Sequence, residues 1–202
     1  MSKYLIKPIA QAEKLETVNN KADHKNRCPQ AVFLDRDGTI GGSGKLVKPD
    51  DFVLYPYSLE AIGLLKQNRI KVYSLTNQPG ISRGETKLSL VREQLMAYGF
   101  DKIYICPHTD QDNCQCRKPK PGMLFGAAAE NFLDLTCCFV IGDSWRDMLA
   151  ADAAGTRKIL LKTGDGEVSY RRLQDMYSYV SLDYYAKDLY DAVKWIIGRK
   201  SG

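Results

Sequence analysis

A chain of 202 residues with 44% apolar and 26% charged side chains can fill one ordinary core, burying roughly 70% of the surface an unfolded chain exposes. No apolar run approaches the ~18 residues of a membrane span, and the start, Met-Ser-Lys-Tyr-Leu-Ile-Lys-Pro, lacks a secretory leader's uninterrupted apolar stretch, so a cytoplasmic location is expected. The formal charge of +5, from 29 basic and 24 acidic residues scattered along the chain, suits an anionic small molecule and is too dispersed for a nucleic-acid surface.

Residues 1–30 are polar and weakly patterned, and form an expected N-terminal extension; residues 31–200 form an expected single domain. From residue 31 apolar runs alternate with amphipathic segments. Residues 31–35 read as a buried strand, 58–68 as a helix with Leu59, Ile62 and Leu65 on its apolar side, and 70–75 as the next strand. A helix over 85–98 leads to a short strand over 102–106 and a loop rich in Cys, His and Asp. Pro121 then opens a helix to about residue 132. The remaining expectations are a strand at 137–142, a helix at 145–154, a strand at 156–161, an edge strand at 179–182 and a last helix at 184–197. Strands separated by helices imply a Rossmann-like α/β fold, its mostly parallel sheet covered on both faces.

Six cysteines do not form an obvious bridge framework. Cys106, Cys114 and Cys116 crowd into eleven residues, a metal-like spacing, whereas Cys137 and Cys138 stand in an apolar run and read as small packed hydrophobes. Cys28 has no assignment.

In a parallel α/β sheet ligands bind at the carboxyl ends of strands. Asp35, Thr76-Asn77 and Asp143 each fall at such an end, so residues far apart in sequence can share one rim. Taken singly, each has an ordinary explanation: Asp37-Gly38 is a turn signal, Thr76-Asn77 a cap, and Gly142-Asp143-Ser144 a loop before a helix. Asp35-x-Asp37 does not open a calcium loop, because its glycine comes too early and no glutamate holds the twelfth position.

Together they describe phosphoryl transfer to water. Asp35 is the candidate nucleophile and Asp37 the acid and base, with the Thr39 hydroxyl expected to hold Asp37. Asp35, the main-chain carbonyl of Asp37 and Asp143 form a hard oxygen shell for Mg²⁺, and Asp147, one helical turn on, orients that shell. Thr76 and Asn77 are candidate donors to phosphate oxygens, and Lys118 offsets their charge.

These residues resemble the haloacid dehalogenase superfamily of phosphatases. Its four motifs match Asp35-Arg36-Asp37-Gly38-Thr39, Thr76-Asn77, Lys118 and Gly142 through Asp147. Residues 76–84 and the segment from Cys106 to Pro119 resemble more narrowly its heptose-bisphosphate and histidinol-phosphate phosphatase branch. The resemblance covers about residues 31–165. It implies an aspartyl-phosphate intermediate, Mg²⁺ dependence and a cap reduced to loops. It also carries over Cys106, His108, Cys114 and Cys116 as zinc ligands, and the Cys-x-His, Cys-x-Cys pattern independently fits a closed, structural Zn²⁺ site stapling the loop.

The expected substrate is a small sugar phosphate or bisphosphate, with Arg83, Lys45 and Arg117 available to a second anionic group. Histidinol phosphate is the rival, because the short gap from His108 to Cys114 is similar to that of its phosphatases and its amine would favour Asp110 or Asp112. The mobile-looking run Ile40-Gly41-Gly42-Ser43-Gly44-Lys45 and Ser144, in place of a lysine, depart from the heptose pattern. A non-catalytic phosphate-binding protein is a further alternative. No nucleic-acid or membrane partner is expected; a monomer is expected, with a dimer as the alternative.

Overall fold

Four consecutive apolar residues, Ala31–Leu34, form strand β1, buried on both faces. The computed structural model describes residues 28–199; most of the expected N-terminal extension, residues 1–27, lies outside the described residues, as do 200–202. β1 pairs in parallel with β2 (Lys71–Asn77) on one side and β4 (Cys138–Gly142) on the other. β3 (Lys102–Cys106), β5 (Arg157–Leu161) and β6 (Tyr184–Ala186) complete a six-stranded sheet in the order β3-β2-β1-β4-β5-β6, with every pairing parallel.

Period-two alternation splits β1 between two cores. Val32 and Leu34 face a layer built from α1 (Ser58–Gln67), α2 (Leu88–Ala97) and α6 (Leu189–Gly198). Ala31 and Phe33 face α3 (Gly122–Asn131), α4 (Trp145–Ala154) and α5 (Gly166–Met176). The chain order reverses direction across the sheet at β1, between β2 and β4, which opens a crevice above their carboxyl ends. Among the described residues, no helix is long and apolar enough to cross a membrane.

Four expectations change. The edge strand is Tyr184–Ala186, in register with Ile159–Leu161, and not 179–182. Asp183 explains the shift: its carboxylate accepts from Lys158 N and its own N–H donates to Lys158 O, so pairing begins one residue later. The last helix starts at Leu189, where Asp188 caps it by accepting from Asp191 N. Helix α5 is absent from the expected elements, because polar and charged residues outnumber the apolar ones along it and only Gly166, Ser169 and Leu173 of its residues are buried. Nor is Cys137 simply a packed hydrophobe: it forms a disulfide with Cys28, while its neighbour Cys138 is buried as expected.

Candidate active site

Strand ends deliver the acidic groups. β1 ends at Leu34, so Asp35 emerges at the crevice, and β4 ends at Gly142, so Asp143 emerges beside it. Asp35, Asp143 and Asp147 place carboxylate oxygens within 4.8 Å of one another. Burial drives Asp143 up to about 8, helped by the charges of Asp35 and Asp147. Burial also raises Asp147, against the pull of Lys118. Three crowded carboxylates with hard oxygen donors fit a divalent cation such as Mg²⁺, which would relieve their repulsion.

Lys118 supplies the balancing charge. Its Nζ lies 3.0 Å from Asp35 Oδ1, contacts Asp147 Oδ1 and donates to the carbonyl of Leu75 at 2.5 Å. The two carboxylates hold its ammonium well above the ordinary lysine range, although burial alone would lower it. Asp147 is fully buried, with Oδ1 on Lys118 and Oδ2 accepting from Ser144 N at 3.1 Å in a capping box, so both oxygens are engaged in positioning.

Asp37 stands apart from this cluster in its contacts. Oδ1 accepts from Arg36 Nη1 at 2.7 Å and Val47 N at 3.1 Å, and Oδ2 accepts from Gln78 Nε2 at 2.7 Å. Burial raises its carboxyl, opposed by Arg36 and reinforced by the Asp35 charge. Thr39 does not hold Asp37: its hydroxyl donates to Asp143 Oδ1 at 3.4 Å, because the turn at Gly38 carries Thr39 back toward β4. Gly38 has φ +82°, and a Cβ there would overlap Asp143 Oδ2.

Thr76 is buried, and its hydroxyl oxygen accepts from Gln78 Nε2. Asn77 lines the cleft, and its amide clasps the backbone of Lys118, accepting from N at 3.1 Å and donating to O at 3.0 Å. One Nδ2 hydrogen remains for another acceptor. Arg117 lines the cleft and forms a two-pronged pair with Asp110, with Nε to Oδ1 at 2.7 Å. Arg83 does not line the cleft; it pairs on the surface with Glu85.

The cleft, about 230 Å³, is also lined by Arg146 and Asp165, neither of which the sequence singled out. Asp165 N donates to Asp143 Oδ2 at 2.8 Å from the loop after β5. Gln78 and Arg36 were missed as well. Gln78 directly follows Asn77 at a strand end, which could have marked it; Arg36, given no role of its own between the two acids, is fully buried.

Beyond β3, Cys106 Sγ, His108 Nδ1, Cys114 Sγ and Cys116 Sγ converge, with separations of 3.2–3.6 Å between bonded pairs. A tetrahedral Zn²⁺ with Zn–S of about 2.3 Å sets its sulfurs about 3.8 Å apart, so the four donors fit that ion after a small expansion.

A family model described as HAD-hydrolase-like matches residues 115–192. The chain is 38% identical over 146 residues to the D-glycero-beta-D-manno-heptose-1,7-bisphosphate 7-phosphatase of Bordetella bronchiseptica, an alignment covering 67% of this chain and 82% of that protein. The chain belongs to the haloacid dehalogenase superfamily, within its heptose-bisphosphate phosphatase branch. A Helicobacter pylori phosphatase of the same name is 33% identical over 178 residues, covering 83% of this chain and 97% of that one. The crystal structure of the B. bronchiseptica D,D-heptose 1,7-bisphosphate phosphatase, complexed with magnesium and phosphate, superposes with a TM-score of 0.74 at 31% identity, covering 84% of this chain and 99% of that one. The chain is therefore a phosphatase, and the Rossmann-like parallel sheet expected from its sequence is the fold it adopts.

Proposed function

We propose that this phosphatase is Mg²⁺-dependent and removes one phosphate from a sugar bisphosphate of the heptose 1,7-bisphosphate type, by way of a phosphorylated Asp35. The observation that carries this is the meeting of Asp35, Asp143, Asp147 and Lys118 at the ends of β1 and β4 in one cleft with Asp37. Asp35 and Asp143, with the main-chain carbonyl of Asp37, would hold the cation. Mg²⁺, when bound, offsets the repulsion between the Asp35 carboxylate and the phosphate.

The side chains then divide the work. Asp35 attacks phosphorus and Asp37 protonates the departing sugar oxygen; Asp37 later takes a proton from the water that releases phosphate. Lys118 neutralises charge on the transferring group, with Thr76 and the remaining Asn77 hydrogen as donors. Lys118 can do this only because Asn77 fixes its backbone and Asp147 its ammonium.

The choice of a bisphosphate rests on the rim. Arg117 and Arg146 both line the cleft, so a second anionic group meets two guanidinium groups. Asp110, the carboxylate that would have served the amine of histidinol phosphate, is bound to Arg117, and Asp112 is turned back onto Thr109. A zinc ion at the four-ligand cluster would fix Arg117 and Lys118, which directly follow Cys116. The names of its relatives agree with a sugar-phosphate substrate. Phosphate release measured across sugar bisphosphates, sugar monophosphates and histidinol phosphate tests the assignment: a heptose 1,7-bisphosphate should lead, and preference for histidinol phosphate would reverse it.

A further inference from the structure

Arg36 is an expensive residue to place where it lies. Its side chain is fully buried and its guanidinium carbon stands 3.7 Å over the ring of Phe52. An apolar residue in that slot would avoid the desolvation of a charge, so the contacts that the charge makes are informative. Nε and Nη2 donate to Gln94 Oε1 at 3.2 and 2.9 Å, and Nη1 donates to Asp37 Oδ1 at 2.7 Å and to Val47 O at 2.8 Å. Gln94 is itself fixed end to end, because its Nε2 donates to Pro49 O at 2.8 Å. Reversing that amide would turn its donors onto the guanidinium.

Asp37 Oδ1 thus receives two donors, Arg36 Nη1 and Val47 N, and both of its lone pairs are taken. Oδ2 receives one, from Gln78 Nε2, and keeps a lone pair free. We propose that Arg36, locked by Gln94, is a positioning residue that pins Oδ1 of Asp37 and so confines the transferable proton to Oδ2, while tying the acid to the Leu46–Val47 segment beside the cleft. The proposal rests on Asp37 being the acid of the proposed function. In the first step a bond forms between an Asp35 oxygen and phosphorus, the bond from phosphorus to the leaving oxygen breaks with its electron pair going to that oxygen, and Oδ2 of Asp37 gives that oxygen its proton. In the second, water oxygen bonds to phosphorus, its proton goes to Oδ2, and the Asp35–phosphorus bond breaks.

Orientation of an acid matters only when the leaving group needs a proton. First-turnover release should therefore be compared for phenyl phosphate, whose phenolate leaves poorly unprotonated, and 2,4-dinitrophenyl phosphate, whose anion leaves unaided. Gln94→Met removes the acceptor that locks Arg36 without touching the cleft, and Gln94→Glu retains one. Gln94→Met should slow phenyl phosphate roughly tenfold or more, part of the ~10²–10⁴-fold of general acid catalysis, and leave dinitrophenyl phosphate within about twofold, with Gln94→Glu recovering most of the loss. Equal loss on both esters, or loss on neither, overturns the proposal. Asp37→Asn run in parallel separates the two assignments: if it is selective for phenyl phosphate and Gln94→Met is not, only the role of Arg36 falls; if Asp37→Asn slows both equally, the acid assignment falls and takes this proposal with it.

Discussion

Lys118 Nζ stands 3.0 Å from Asp35 Oδ1 while also holding Asp147, so the cation beside the proposed nucleophile is itself held by a buried carboxylate. Replacing Lys118 with Met would leave Asp147 charged and buried with only a backbone N–H for company. We expect that variant to lose about 3–5 kcal/mol of stability in urea unfolding and at least ~10²-fold in turnover. Adding Asp147→Asn should restore much of the stability and none of the activity, since the buried charge goes but the phosphate still lacks its cation. Recovery of turnover in the double variant would contradict the role given to Lys118.

Asp35→Asn should reduce phosphate release by ~10³-fold or more, because an amide oxygen is a poor nucleophile toward phosphorus. Its fold should persist. The Asp35 charge raises both Asp143 and Asp147, so removing it relieves repulsion. Thermal unfolding without metal is expected at the same temperature as the parent or higher.

The sign of the pH dependence follows from Asp143. Its folded-state value of about 8 lies above the ordinary 3.8, so the folded chain binds more protons than the unfolded chain between those limits. The corresponding stability is fully present below about pH 4 and is lost as pH rises toward 8. Metal-free protein should therefore show this contribution as a falling melting temperature from pH 5 to 8, and Mg²⁺ should raise that temperature more at pH 8 than at pH 5, by ~5 °C or more. Equal stabilisation by Mg²⁺ at both pH values would point away from this carboxylate cluster as its site.

Arg117→Ala should raise KM for a sugar bisphosphate about tenfold, the worth of one charge-assisted contact. KM for a simple aryl phosphate, which has no second anion, should stay within about twofold. A parallel rise on both substrates would place Arg117 at the transferred phosphate.

Metal analysis should return one zinc per chain, lost in Cys114→Ser together with several degrees of thermal stability. Activity should fall alongside, because Cys116 immediately precedes Arg117-Lys118. Zinc-free protein with unchanged stability would leave the four side chains without the assigned ion.

The sheet was legible because its central strands are short, uniformly apolar runs, and the carboxylates at their ends could be placed by topology alone. Asp35, Lys118 and Asp143 converge although 108 residues separate the first from the last of them in sequence. What the sequence hid was mostly polar and second-hand. Thr39 turned to Asp143, since a hydroxyl's partner depends on the exact path of the turn at Gly38. Arg36 and Gln94 meet across 58 residues with no periodic signal to betray the pairing. Helix α5 escaped because its polar and charged residues outnumber the few apolar ones, chiefly Leu173 and Tyr170, that dock it on the core. Cys28 and Cys137 lie 109 residues apart, and only the alignment of the chain entering β1 beside β4 brings them together.

The carboxylates proposed as acid and metal shell leave the two neighbouring strands β1 and β4, whereas Arg117 arrives on the long excursion that follows β3 at the sheet's edge. The proposed nucleophile and acid thus reside on one stretch of polypeptide, and Arg117, one of the two rim guanidinium groups of the proposed bisphosphate site, on another. The 106–121 segment could be exchanged for that of a relative with other tastes, provided that Lys118 still finds Asn77, and the exchanged protein would be expected to cleave the same kind of bond in a different molecule.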